Sequence, residues 1–429
     1  MLNIGQGRRD LVVALVGRMV STFGDGVALV ALTLRLQADG ARPYEVALLL
    51  GAGGVPQLLL ARPIGRLADT HDSRRLLVGG GLAEVAATIP LVFLHSAVPL
   101  MLLVAVLGAA ASLTGATWSA LVPRVVGEDN VAEAVSAQQS LKVLALIGGP
   151  AVGGLLAGAF GTGVPVAVDA ATFAAVTVAA ALVRTRRVPE RAPVGVDEPS
   201  RIRSGFAILR ADPLLAPLLV GVAVVVLLVG MVDVVLVYLV RETLHAGGVW
   251  YGVTEATWMA GMVAGSLGAS LVRTERGRVR ATVAGVALTC AGVACYALAP
   301  AVGVLVPVSV LGGVGNGYAA ACVSTLLLTR TPDSARGRVS AAANAVLGGA
   351  QGAALLLGGL VAIELAPRSI CAVAGLLGLT AAGVVALTSA ARTPGRKGRS
   401  RVGSRLLEPA GAEGLEPPTY GFGDRRSTN

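Results

Sequence analysis

Leu214 to Val240 reads LLAPLLVGVAVVVLLVGMVDVVLVYLV, 27 residues in which Asp233 is the only charged side chain. A helix needs about 20 apolar residues to cross a hydrocarbon core. The stretch is therefore long enough to span a bilayer, with one carboxyl group inside it. Comparable runs lie at 11–34, 44–67, 76–94, 98–122, 133–158 and 164–183 before it, and at 250–272, 281–299, 301–328, 340–363 and 369–390 after it. The pattern predicts an all-α integral membrane protein with 12 transmembrane helices in two six-helix halves. Composition agrees: 54% of the residues are hydrophobic and mean hydropathy is +0.75, which is too apolar for soluble domains.

Punctuation divides the chain. RTRRVPERAPVGVDEPSRIRSG, Arg184 to Gly205, is polar, arginine-rich and contains prolines, which marks a linker. The expected organisation is a first half over 1–183, a cytoplasmic linker over 184–213, a second half over 214–390 and a basic, disordered cytoplasmic tail over 391–429.

Arginine placement orients the chain, because basic residues collect in cytoplasmic loops. Arg8, Arg9, Arg74, Arg75, Arg124, Arg184, Arg186, Arg187, Arg273, Arg276, Arg278, Arg280, Arg330, Arg336 and Arg338 fall on one face, against Arg35, Arg42, Arg241 and Arg368 on the other. This predicts a multi-pass protein of the cell membrane with both termini cytoplasmic. Topology thus accounts for the net charge of +10. The arginines are scattered over loops without aromatic platforms, which argues against nucleic-acid binding and for contact with anionic lipid head groups. The first apolar run is too long for a signal peptide and lacks a small-x-small cleavage site. Cys290, Cys295, Cys322 and Cys371 lie within apolar spans, without metal-ligand spacing. No metal site, nucleotide-binding loop, cofactor or catalytic constellation is expected.

The halves echo each other. GDGVALVALTLR from Gly24 and GMVDVVLVYLVR from Gly230 align Asp25 and Arg35 with Asp233 and Arg241. Internal repeats are how many secondary carriers are built, with substrate near mid-membrane at the repeat interface. Glycine is abundant, 57 in all, and small residues in lipid let helix backbones approach closely.

Two motifs carry a resemblance. GRLADTHDSRR, Gly65 to Arg75, is similar to the loop signature Gly-x-x-x-Asp-Arg-x-Gly-Arg-Arg of the major facilitator superfamily, matching at Gly65, Asp69 and Arg74 and departing at Thr70, Asp72 and Ser73. GGPAVGG, Gly148 to Gly154, is similar to the antiporter signature of its drug-exporting members, matching at Gly149, Pro150, Gly153 and Gly154. Proline and glycine there also make a pliable helix on physical grounds. FGDGVALVAL from Phe23, VDAATF from Val168 and ARGRVSAAANAV from Ala335 resemble the branch containing macrolide and siderophore exporters. The resemblance covers about residues 10 to 390. It implies a gate in which Asp69 pairs with the start of the eleventh span and with Arg336 or Arg338. The basic residue that many drug:proton antiporters carry in the fourth span is absent between Leu100 and Pro123.

Ionisable groups at membrane depth are costly and so are functional candidates. Asp25 stands first, flanked by Gly24 and Gly26, with Arg18 seven residues earlier on about the same helix face. Burial favours a protonated carboxyl and a cationic partner favours the ionised form, so a carboxyl between the two can load and release a proton. An Asp25–Arg18 pair fixing the helix is the structural alternative. Glu84 and Asp233 are candidates for a proton or a substrate cation, and Lys142 for an anionic substrate group. Asp169 and Glu255 lie near outer helix ends and are expected to be structural. Gln57, Asn316, Asn344 and Gln351 can bond substrate or join helices, and Trp258 is deep enough to line a cavity.

The reading is a secondary transporter and not an enzyme, a monomer exporting a small amphipathic compound in exchange for protons. A nutrient importer and a non-transporting sensor or assembly partner are the alternatives.

Overall fold

The computed structural model describes residues 4–126, 131–182 and 198–392. The predicted disorder of the tail and residues 184–197 of the predicted linker lie outside the described residues. All regular structure within them is helical: α1 (Ile4–Ala38), α2 (Pro43–Ala52), α3 (Gly54–Leu59), α4 (Ala61–Thr70), α5 (Ser73–Leu91), α6 (Ala97–Val126), α7 (Val131–Phe160), α8 (Gly163–Leu182), α9 (Glu198–Ala211), α10 (Leu215–Tyr238), α11 (Gly248–Ala269), α12 (Glu275–Leu298), α13 (Val302–Arg330), α14 (Arg336–Val361) and α15 (Pro367–Arg392). Nine helices among the described residues are long and apolar enough to cross a membrane. The remaining three predicted spans fall on α2 to α4, on α5 and on α11.

The second predicted span, 44–67, is three short helices and not one. The breaks follow from its prolines, because Pro56 and Pro63 have no N–H to bond the carbonyls of Ala52 and Leu59, the last residues of α2 and α3. Gly53 at the first break lies backbone to backbone against Gly108 of α6, where a Cβ would overlap the Gly53 carbonyl. The 184–213 segment also holds a helix that the linker reading omits. EPSRIRSGFAILRA forms α9, whose Leu209 is buried with Leu214, Leu218 and Val339, and whose Gly205 lies against the Arg338 carbonyl.

Within the first set, α1 packs on α7 and α8, and α5 on α6 and α8. In the second, α10 packs on α14 and α15, α11 on α13, and α12 on α13 and α15. The sets meet mainly through α7 with α11 and α2 with α14. Large apolar side chains such as Phe93, Leu271, Leu298 and Leu387 point outward, as a lipid-facing surface requires. We call the face bearing the start of α1 and α9 the linker face, and the opposite one the far face.

Two arginines lock helix ends. Buried Arg35, at the far end of α1, donates to the carbonyls of Leu91 and Leu94 and to Thr162 Oγ1, answering the orphan carbonyls at the end of α5. On the linker face Arg330 grips Asp212 with two bonds, of 2.8 and 3.2 Å, and also pairs with Glu275. The same Asp212 carboxylate accepts from the Leu214 and Leu215 amides at 2.8 and 2.9 Å, so the cluster ties the α9–α10 junction to α12 and α13. Arg330→Ala leaves two half-buried carboxylates without their cation and is expected to destabilise the protein by about 2 kcal/mol. Arg330→Lys, which cannot make the two-pronged contact, should fall between that variant and the wild type. Thermal unfolding in detergent checks this, and identical melting of all three would show that the cluster contributes nothing.

Candidate functional site

The antiporter-like segment of α7 serves two neighbours at once. On one side a Cβ at Gly149 would come 2.8 Å from the Phe23 carbonyl oxygen, and one at Gly153 would come 2.6 Å from the Val27 carbonyl oxygen. These two glycines therefore seat α7 on α1, with Gly26 against Pro150 and Gly149. On the other side a Cβ at Gly154 would come 2.9 Å from the Cα of Gly252, so α7 meets α11 across the two sets. Small residues on facing helices permit such approach.

Where these helices diverge they enclose a cavity of about 930 Å³. The first set contributes Thr22, Asp25, Gly26, Leu29, Val30, Leu50, Leu146 and Pro150, and the second contributes side chains of α10 to α14. Most of the wall is valine, leucine and alanine. Its polar groups include three carboxylates, Asp25, Asp233 and Glu255, together with Asn316, Asn344, Gln351, Thr254, Thr289, Ser324 and Ser340. No lysine, arginine or histidine is among the lining residues.

The far face is closed over this space. Gln37 Nε2 donates to Glu242 Oε1 across the sets (3.0 Å), Arg241 Nε reaches Gln37 Oε1 (3.4 Å), and the Tyr238 hydroxyl donates to the Ala41 carbonyl (2.8 Å). Arg241 and Glu242 sit in a π-helical turn, Leu239–Thr243, at the end of α10, a local rewinding that redirects side chains. Beneath it Leu34 packs on Gly248 and Tyr44 on Gly359. In the other direction the lining runs to Leu327, Leu328 and Ser340, near the linker-face ends of α13 and α14.

Of the sequence candidates, Asp25 and Asp233 both open onto the cavity. Asp233 Oδ2 accepts from Gln351 Nε2 at 3.0 Å. Arg18 acts on Asp25 through its charge, but no ion pair joins them among the described residues, and its guanidinium lies beside Gly115 of α6. Glu84 is buried behind the cavity, 4% exposed, and accepts from Thr114 Oγ1 at 3.0 Å. Asp169, 1% exposed, lies against Gly24 and accepts from Thr172 Oγ1. Asp25, Glu84 and Asp169 act on one another electrostatically, so three acids and Arg18 form one polar cluster inside the first set. Lys142 is exposed and does not line the cavity. Gln57 is likewise outside it, whereas Asn316, Asn344, Gln351 and Trp258 line it.

Glu255, expected to be structural, lines the cavity wall, within electrostatic reach of Asp233. Its position from the helix end sets its depth correctly; the rotation of α11 decides what it faces. In the loop motif, Gly65 is open on the surface of α4, and Arg74 lies in the first turn of α5. Asp72, which departs from the family pattern, caps α5 by accepting from the Arg75 amide at 3.1 Å. Arg336 pairs with Asp333 at 2.9 Å. The Asp69 side chain, and with it the expected pairing to Arg336 or Arg338, lies outside the described residues. Sequence reading passed over Gly252, Tyr251, Tyr296, Gln37 and Glu242. Only Gly252 carried a signal, as a small residue one turn from Gly248.

Residues 14–274 match the family model described as Major Facilitator Superfamily. Among curated proteins, Macrolide efflux protein A of Streptococcus pyogenes is 25% identical over 292 residues, covering 64% of this chain and 71% of the relative. Uncharacterized MFS-type transporter YfiS of Bacillus subtilis is 24% identical over 265 residues, covering 60% and 63%. Among solved structures, the nucleoside transporter NupG superposes with a TM-score of 0.74 at 10% identity, covering 88% of this chain and 98% of that one. A bacterial homologue of the iron transporter ferroportin in its inward-facing state superposes with 0.70 at 16% identity, covering 89% and 98%. At these identities the structural likenesses establish the fold.

Proposed function

Because the chain belongs to the Major Facilitator Superfamily, we propose that this membrane transporter exports a small amphipathic compound from the cytoplasm in exchange for protons, by alternating access in the cell membrane. The observation that carries the reading is the cavity of about 930 Å³ between the sets, apolar in most of its wall and closed on the far face. A volume of that size suits a drug-sized ligand held mainly by apolar contact. The arginine-rich linker face is then cytoplasmic, the cavity waits on the side from which an exported compound arrives, and 1–183 and 214–390 rock about the α7–α11 and α2–α14 seams as a monomer. The named macrolide efflux relatives support export over import.

The test is accumulation of fluorescent dyes and antibiotics in a pump-deficient bacterium expressing the chain, with and without a protonophore. Lowered accumulation that the protonophore restores is expected. Raised accumulation would replace export with import, and lowered accumulation indifferent to the protonophore would remove the proton from the mechanism.

A further inference from the structure

The broken second span leaves a space outside the central cavity. Among the described residues α4 packs mainly on α6 and scarcely on α5. By contrast α5 sits tightly on α6, where a Cβ at Gly80 would come 2.6 Å from Thr114 Cγ2. The gap left between α4 and α5 is a groove of about 350 Å³. Pro63 and Leu67 of α4, Gly79 and Ala83 of α5, and Val106 and Ala109 of α6 line it, and Leu60, where α3 gives way to α4, completes the wall. Leu60, Leu67 and Val106 are exposed, so the groove opens on the lipid-facing side of the first set. None of its lining residues is polar. Gly79 keeps it open, because a Cβ there would meet nothing within 4 Å.

Charge gathers at one end. Between Leu60 and Leu76 stand four arginines, Arg62, Arg66, Arg74 and Arg75, against two aspartates, Asp69 and Asp72. Arg75, Gly79 and Ala83 follow one another at four-residue intervals and so share a face of α5, with exposed Arg75 one turn nearer the linker face than Gly79. Exposed Arg66 adjoins Leu67, the α4 lining residue nearest that face. The two guanidinium groups therefore stand at the linker-face mouth of an apolar groove. An apolar wall without polar groups cannot orient a soluble ligand, but an apolar chain beneath a cationic rim matches an anionic amphiphile.

We propose that the groove between α4, α5 and α6 is a binding site for an anionic phospholipid of the linker-face leaflet, with one acyl chain along Leu67, Gly79 and Ala83 and the head-group phosphate at Arg66 and Arg75. The lipid then supplies the neighbour that α4 lacks on its α5 side. The site is separate from the cavity and does not depend on what the protein transports.

The experiment uses the full-length protein purified in detergent and a phosphatidylglycerol carrying a photoreactive diazirine on one acyl chain, with the labelled peptides mapped by mass spectrometry. The competitors are unlabelled phosphatidylglycerol, phosphatidylcholine with the same chains, and glycerol 3-phosphate as the head group alone. Labelling should concentrate on the groove peptides of α4, α5 and α6, above that around Val178, a lipid-facing residue of α8. Phosphatidylglycerol should displace the probe at about tenfold lower concentration than phosphatidylcholine, and Arg66→Gln and Arg75→Gln should each reduce that advantage by about fivefold. Gly79→Leu, which fills the groove from α5 without meeting the protein, should lower groove labelling by about tenfold, the worth of roughly two buried methylenes, and leave the α8 labelling unchanged. Thermal unfolding shows whether the variant has folded; if it has not, Ala109→Leu, which fills the groove from α6, takes its place. Groove labelling no stronger than that of α8 would reduce the site to ordinary surrounding lipid and overturn the proposal. Equal displacement by the two phospholipids, displacement by glycerol 3-phosphate alone, or undiminished groove labelling in a folded filling variant would overturn it as well.

Discussion

Asp25→Asn is expected to abolish concentrative, protonophore-sensitive efflux while leaving the folded protein intact. Asp25 is the first-set carboxyl that opens onto the cavity. Behind it lie buried Glu84 and Asp169, and Asp169 lies against Gly24, the residue before Asp25. Arg18 adds one positive charge to this group without pairing directly. A carboxyl so placed can exchange a proton with cavity water when one face is open and feel a different field when the helices shift. Asparagine matches its shape and cannot carry the proton. Proteoliposomes separate the two roles: the variant should show no substrate-driven proton flux and no pH-gradient-driven accumulation, yet still exchange substrate downhill. Full pH-driven accumulation by the variant would remove Asp25 from coupling and shift the role to Glu84 or Asp169. Loss of downhill exchange as well, with unchanged melting, would make it a substrate contact.

Gly252→Leu should eliminate transport by a different route. A Cβ on Gly252 would come 2.8 Å from the Gly154 Cα and would overlap the Pro150 carbonyl. Both obstacles are backbone, so α11 and α7 must separate. That separation opposes the far-face closure in which Gln37 meets Glu242 and Tyr238 meets the Ala41 carbonyl. Overpacking of this kind costs about 1–3 kcal/mol, enough to displace a balanced two-state equilibrium by roughly fivefold to a hundredfold or more. The variant should therefore favour the far-open form. Gly158→Ala is the matched control, because a Cβ there meets chiefly the movable side-chain Cγ2 of Val249, and should keep most activity. A cysteine introduced at Val30, which lines the cavity and takes no part in the far-face bonds, and labelled from outside with a membrane-impermeant maleimide reads the state: labelling should rise in the Gly252→Leu background and stay near wild type with Gly158→Ala. Unchanged labelling with unchanged transport would show that the α7–α11 seam does not constrain the cycle.

Much of this protein is legible in one dimension. Apolar run lengths locate the spans, and the arginines sort the loops to two faces. Pro56 and Pro63, which lack N–H groups, mark in the sequence where the second span breaks. The EPSRIRSGFAILRA segment carries the apolar spacing of α9, which its prolines upstream and its charge obscured. The glycines of GGPAVGG announce close packing but not that Gly149 and Gly153 seat one partner while Gly154 seats another.

The sequence by itself determined the membrane class, the depth of each ionisable group and the small-residue surfaces, because these depend on local composition and on the constant rise of a helix. The tertiary structure alone decided that Asp233 and Glu255 face one cavity, that Arg18 turns to α6, and that Arg330 gathers Asp212 and Glu275. Each of these depends on how one helix is rotated against another distant in the chain. That rotation is set by packing between helices, where a 100° turn about the axis exchanges lipid for cavity without altering the pattern along the chain.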